Sequence, residues 1–348
     1  MRRPLSTSLF ALLLLTLFPL AGCEPDTPAP GSPALPLAAA AAAAEYAGSE
    51  ACAACHAAAY ADWQGSHHDL ALQAANGQSV LGLFPTRFGD TVFEAAGDRF
   101  QITPAGSPEP RPVLYTFGVT PLQQYVIPAA NGALQTFPIA WDSRPEAAGG
   151  QRWYALYEGD FGPDDPMHWT GRANRWNSQC ADCHSTGVRK HYDPASRSYQ
   201  TTWAVDDVGC EACHGPGSRH IADPGGSPVE LLTTQADEIN ACAPCHARRT
   251  QIAEGFIPDA PLLDFYRPQF IVPGLYHTDG QIDDEVYVYG SFLQSRMHLA
   301  GVSCSDCHQP HRAALRRPGN ETCTLCHQST PGNRFAGQAA GNYDTPEH

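Results

Sequence analysis

The chain has 348 residues, with 36 acidic and 21 basic side chains and a formal net charge of −15. That sign sets nucleic acid aside as a partner, because a phosphate backbone is bound by a surplus of Lys and Arg. Glycine and proline, 31 of each, predict many turns and little long regular structure, and 13 cysteines call for a chemical account.

The N-terminus reads as export machinery. Arg2 and Arg3 form a short positive region, and Leu9 to Leu20 form an apolar core too short to span a bilayer comfortably. The run ends in Leu20-Ala21-Gly22-Cys23, which resembles a bacterial lipoprotein cleavage box. Residues 1–22 are then a signal peptide, and Cys23 becomes the acylated first residue. Their removal takes away two Arg and no acid, so the net charge moves from −15 to −17. No later run is long and apolar enough for a transmembrane helix, which leaves the lipid as the expected membrane attachment. Residues 23–50 are mostly Ala and Pro; they bury too little to fold and read as a tether.

Residues 51–79 begin with Cys52, Cys55 and His56. A helix is predicted over Ala57–Gln73, on which His56, Tyr60, Trp63 and His67 share a face by i, i+4, i+7, i+11 spacing. Residues 80–165 lack cysteine and read as a β-rich insert. Thr91–Glu94 and Arg99–Thr103 flank Gly97-Asp98, and Leu122–Ile127 and Leu134–Ile139 flank Asn131-Gly132, both hairpin signals. Val113–Val119 and Trp153–Tyr157 are further strands. The expected role of the insert is scaffolding ahead of partner docking.

Residues 166–348 hold five more cysteine pairs. The six pairs are Cys52-Cys55-His56, Cys180-Cys183-His184, Cys210-Cys213-His214, Cys242-Cys245-His246, Cys304-Cys307-His308 and Cys323-Cys326-His327. Every pair has the spacing C-x-x-C and every pair is followed at once by His. Zinc knuckles do not need that histidine, and disulfide frameworks do not repeat one identical motif. C-x-x-C-H marks attachment of heme c: two thiols add to the porphyrin vinyl groups and the histidine ligates the iron. Six covalent hemes are therefore expected, with His56, His184, His214, His246, His308 and His327 as proximal ligands. Cys23 is the one cysteine left over. The first motif is set apart in sequence by the β insert, and five cluster behind it.

A sixth ligand to each iron should also be His, since Met167 and Met297 are the only methionines after residue 22. Nine histidines lie outside the motifs, enough for bis-His ligation throughout, which generally gives lower potentials than Met/His ligation. A histidine on the first helix cannot reach the far face of its own heme, so His67 or His68 would serve a neighbouring one. His168 is a candidate just ahead of motif two. His191 and His348 read as surface residues. The expected fold is α+β: short helices and irregular coil packed around six c-type hemes, with an inserted small antiparallel β subdomain.

Trp63-Gln64-Gly65-Ser66-His67-His68, the run Cys210 to His214 continued by Gly215-Pro216-Gly217-Ser218-Arg219-His220, and the closely doubled last two motifs resemble the cytochrome c-554-like multiheme cytochromes. The segment from Tyr276-His277 to His311 resembles the heme part of multiheme cytochromes that carry tetratricopeptide repeats further on. The resemblance implies His220 as a distal ligand, and His298 or His311 as another. His277 and one of His67 and His68 are further candidates; the family's Trp-x-x-Ser-x-His pattern points to His68, helix geometry to His67. Relatives with repeats continue past an ending like Tyr343-Asp344-Thr345-Pro346-Glu347-His348; no repeats are predicted here.

The expected function is electron transfer in periplasmic or cell-surface respiration, by an exported, lipid-anchored carrier with no catalytic residues. Its partners would be redox proteins or an extracellular acceptor. The alternatives are a multiheme oxidoreductase of nitrogen or sulfur compounds, which needs one open heme, and a subunit of an extracellular heme filament.

Overall fold

Strands form where β-branched and aromatic residues crowd together, and proline decides where they stop. The computed structural model describes residues 45–226, 229, 232–319 and 321–327. The signal segment, Cys23, most of the tether and His348 lie outside the described residues. Ten strands occupy the region before motif two: β1 (Gln73–Ala74), β2 (Thr86–Phe88), β3 (Thr91–Ala96), β4 (Arg99–Thr103), β5 (Arg111–Pro112), β6 (Tyr115–Phe117), β7 (Leu122–Pro128), β8 (Leu134–Thr136), β9 (Ile139–Asp142) and β10 (Arg152–Ala155). They form two antiparallel sheets. One has the order β2-β3-β4-β5; the other runs β1-β6-β7-β9-β10, with β8 also paired to β7. The β region thus starts at Gln73 rather than at residue 80.

The first hairpin turns where expected, with Ala96 opposite Arg99 and Gly97 at φ 61, a conformation open to glycine. The second differs. Asn131 and Gly132 sit in a 3-10 turn, Ala130–Gly132, inside a longer loop that joins Pro128 to its partner Leu134. The predicted strand Leu134–Ile139 is broken in two, because Pro138 has no N–H for the ladder. β8 therefore pairs with the end of β7, Val126 opposite Thr136, and β9 with its start, Leu122 opposite Asp142.

β7 is buried on both faces, and side-chain alternation splits its contacts. Tyr125 and Ile127 join Phe93, Ile102, Phe137, Trp141 and Trp153 in a core between the sheets. Val126, one residue out of phase, joins Leu72, Phe117, Trp176 and Ala181. Trp176 and Ala181 belong to the motif-two segment, so the second face of the sheet is the wall against which that motif is built.

The helices are short. They are α1 (Ala57–Trp63), α2 (Trp176–Gln179), α3 (Ala181–His184), α4 (Cys210–His214), α5 (Ser218–Ala222), α6 (Gln235–His246), α7 (Leu262–Phe265), α8 (Val288–Leu293), α9 (Arg296–Leu299), α10 (Cys304–Cys307) and α11 (Glu321–Thr324). Two small hairpins complete the described residues, β11 (Arg249–Gln251) with β12 (Tyr266–Pro268), and β13 (His308–Gln309) with β14 (Ala314–Leu315). α6 and α10 each have a full capping box, Thr234 with Asp237 and Ser303 with Asp306 bonding reciprocally.

α1 stops ten residues short of the predicted end. Gln64 leaves the helical region at ψ 130, and Gly65 takes φ 73. The helical-face argument that placed His67 with His56 therefore does not apply. Among the described residues no helix is long and apolar enough to cross a membrane.

Phe93 is fully buried and stacks on Trp153 with ring centres 4.1 Å apart. Phe93→Ala should cost about 3–5 kcal/mol of unfolding free energy. The check is the urea midpoint, followed by near-ultraviolet circular dichroism of the tryptophans.

Candidate heme centres

Cysteines at i and i+3 and a histidine at i+4 fall on one side of a single helical turn. The backbone closes that turn directly: the amide of His56 donates to the carbonyl of Cys52 at 2.9 Å, His184 to Cys180 at 3.2 Å, and His327 to Cys323 at 2.9 Å. All twelve motif cysteines are free thiols. Each motif therefore offers two thiols and an imidazole in the arrangement thioether attachment needs.

Two motif histidines face a second imidazole. The rings of His56 and His220 are 6.2 Å apart, tilted by 32°; those of His214 and His311 are 6.4 Å apart, at 28°. A metal–imidazole bond of about 2 Å, plus about 1 Å from ring nitrogen to ring centre, puts two imidazoles on opposite sides of one ion about 6 Å apart. Both pairs fit an iron held between them. Each second ring comes from the segment just after a different motif: His220 follows motif three and His311 follows motif five.

The remaining histidines divide. His68 points inward, near His246 and His311, and bonds the carbonyl of Pro310, whereas His67 is exposed. Burial lowers the pKa of His68, His184 and His246. His184 is fixed by a 3.0 Å contact of Nδ1 with the carbonyl of Ala71 and packs against Phe117 and Trp176. Such a second bond, which orients the ring and leaves Nε2 forward, is typical of ligating histidines. His168 has the same pattern, Nδ1 lying 2.7 Å from Thr170 Oγ1. His298 packs on Phe292, and its buried Nδ1 has no hydrogen-bond partner among the described residues. His277 lies on an exposed turn beside Asp283 at 3.4 Å, and His191 is exposed in the left-handed region.

Neighbouring motifs are not always consecutive in sequence. The thiol of Cys52 lies beside that of Cys210, Cys183 beside Cys245, and Cys242 beside Cys304. Motif one, remote in sequence, is thus docked on motif three. Trp63 Nε1 donates to the carbonyl of Val208 at 3.0 Å, and the Val208 amide donates back to the carbonyl of His68.

Sequence reasoning missed what holds these contacts, the residues between the cysteines. Glu211, in motif three and 4 % exposed, accepts from the amides of Ala47, Gly48 and Gly217 at 2.8, 2.8 and 2.7 Å. Ser305, in motif five, donates from its amide and hydroxyl to Glu238 of α6 at 2.8 and 2.6 Å. Asp182, in motif two, accepts from Arg249 at 2.8 Å and Tyr266 at 2.9 Å. Asp62 on α1 accepts from Gln309 at 3.0 Å and Arg312 at 2.7 Å, just after motif five. The available signal was acidic residues inside motifs two, three and five, where carboxylates are rarely buried without partners.

Apolar surface is distributed as a porphyrin-lined interior requires. Most exposed large apolar side chains lie between residues 252 and 325, among them Leu263, Phe270 and Leu299 at 65 %, 75 % and 78 %. The β region exposes three, Leu81, Leu83 and Leu114. A flat apolar macrocycle against the first set would remove that surface from water.

Comparison with known proteins agrees with these features. Residues 166–215, with motifs two and three, match the family model of cytochrome c554 and c-prime, and residues 298–332, with motifs five and six, match the doubled CXXCH motif. No curated protein matches the chain. Among solved structures, the outer cell wall cytochrome OcwA is similar in fold, with a TM-score of 0.57 at 20 % identity over 82 % of this chain and 68 % of that one. An undecaheme cytochrome from the S-layer of Carboxydothermus ferrireducens aligns at a TM-score of 0.45 and 18 % identity, over 82 % of this chain and 43 % of that one.

One carboxylate beside motif three is strained electrostatically. Asp207 Oδ1 is buried without a partner among the described residues. Burial pushes its pKa from 3.8 up to about 7, and the negative charges of Asp69 and Asp206 add to the rise. Between those two values the folded chain keeps a proton that the unfolded chain has lost, so stability falls as pH rises through that window. In Asp207→Asn the urea midpoint should fall less across the same window than in the parent.

Proposed function

We propose that this chain, a multiheme c-type cytochrome, carries six covalent hemes and serves as an exported electron-transfer protein. The observation that supports it most directly is the pairing of imidazoles at the spacing of a shared iron, His56 with His220 and His214 with His311. Iron with histidine on both sides has no open position for a substrate. Bound heme c supplies one-electron iron chemistry at low potential; the protein supplies everything else.

The cysteines would anchor each heme covalently, and the motif histidines would ligate its iron. His220 and His311 would supply the second imidazoles of the centres on motifs one and three. His68, turned toward His246, is the candidate for motif four in preference to the exposed His67. His298 and His168 are the remaining buried or oriented donors, and His277 is the least suited, being held by Asp283 at the surface. Cys23 would carry the lipid. The name of the structural neighbour at a TM-score of 0.57, an outer cell wall cytochrome, is in keeping with export. Net charge −15 over the whole chain predicts a basic docking patch on a redox partner and association that weakens with salt.

Intact-mass measurement of the mature protein should give six heme additions and a diacylglyceryl group on Cys23. A count other than six, or an unmodified Cys23, would overturn that part. Electron paramagnetic resonance should show low-spin iron throughout. His220→Ala should convert one centre to high spin and let it bind carbon monoxide, with five unchanged. A parent protein already high-spin at one centre, and binding nitrite or hydroxylamine there, would favour an oxidoreductase instead.

A further inference from the structure

Arg249 stands three residues past His246 and shares a strand face with Gln251, since both lie on β11 two residues apart. Tyr266 of β12 is directly opposite Gln251. The hairpin so presents three donors on one side, and all three converge on the carboxylate of Asp182, in the middle of motif two. Arg249 bonds it at 2.8 Å, Tyr266 Oη at 2.9 Å and Gln251 Nε2 at 3.3 Å. The guanidinium does more than pair with the acid. Its Nε donates to the carbonyl of Pro244, inside motif four, at 2.6 Å. Its terminal nitrogen lies 3.2 Å from Cys183 Sγ, and its plane rests on the Tyr266 ring at 4.2 Å. The Arg249 side chain is 9 % exposed.

We propose that Arg249 is the positioning residue of a redox pair formed by the centres on motifs two and four. This rests on the heme-carrying reading above. One rigid, planar cation touches the backbone of motif four and both a carboxylate and a sulfur of motif two, so it sets the separation of the two motifs. A flexible ammonium could match the charge but not that fork. The charge acts on both centres as well. A buried cation favours the reduced, less positive state of a neighbouring iron, and Asp182 opposes it. When one centre gives its electron to the other, one iron goes from Fe(II) to Fe(III) and its partner from Fe(III) to Fe(II). Arg249 biases both ends of that exchange and needs no proton or further reactant.

The test is a potentiometric titration of the purified holoprotein, followed by visible and paramagnetic resonance spectra, for the parent, Arg249→Gln, Arg249→Lys and Asp182→Asn. Arg249→Gln should move two of the redox waves to lower potential and leave the others on the parent curve. Asp182→Asn, nearly isosteric, should move the same two waves upward. Arg249→Lys should return the potentials toward the parent while the magnetic interaction between the two irons stays weakened. Opposite shifts from the two neutralising variants cannot come from a general loosening of the fold. Unchanged waves in both variants with full heme content, or a shift of the same sign in both, would overturn the proposal and leave the electron-transfer reading intact. Absence of covalent heme from the parent would instead remove that reading.

Discussion

The constraint on which the molecule depends is the single turn that carries each C-x-x-C-H motif. Two thiols and an imidazole must project to one side of that turn, so the two residues between the cysteines are left on its remaining surface. In this chain three of those pairs include a polar group that reaches another segment: Asp182, Glu211 and Ser305. The same turn that would anchor a heme also fixes a neighbouring motif. This is why the neighbour relations given by the thiols and those given by the polar contacts coincide for motifs one and three, two and four, and four and five.

The two halves of the chain solve the burial problem differently. The β region packs aromatic side chains between two sheets, with Phe84 making edge contacts to Phe93, Phe100, Tyr125 and Trp153. The motif-rich region carries its aromatic side chains at lower density along the chain and leaves leucines and Phe270 uncovered by protein. β7 joins the two regimes. Its alternation sends Tyr125 and Ile127 to the protein core and Val126 to Trp176, beside His184. The insert is therefore structural support for motif two, consistent with a scaffolding role.

Much of this was legible in the sequence, because the motif is local. Six C-x-x-C-H runs identify the attachment chemistry without any knowledge of the fold, and the Gly97-Asp98 turn places its hairpin to the residue. Prediction weakened wherever the outcome depends on contacts distant in sequence. The helix after motif one was extended to Gln73 on periodicity alone, although Gly65 at φ 73 ends it early; that error favoured His67 over His68. The strand over Leu134–Ile139 ignored Pro138. Motif one looked isolated because 128 residues separate Cys52 from Cys180, yet Cys52 meets Cys210. Arg249 carried no local signal beyond following a motif, since its role depends on Asp182, 67 residues away.

The same distant contacts bear on how such a chain folds. If the facing rings share an iron, motif one is completed by a residue from α5, beyond motif three, and motif three by His311, beyond motif five. No centre in that series is built from one contiguous segment. Loop-closure entropy for each such contact must be met before the ligand bond rewards it, so isolated motifs gain little and late contacts stabilise earlier ones. Asp62 with Arg312 and Glu211 with Ala47 and Gly48 close the same loops by polar contacts. Loops that are closed by both kinds of contact lose one without opening. The chain's 31 prolines act in the same direction, since a residue with fixed φ has less freedom to lose when a connector is ordered. A fold with short helices and modest sheets can thus be specific: its order comes from interlocked connections between motifs, and little of it from regular secondary structure.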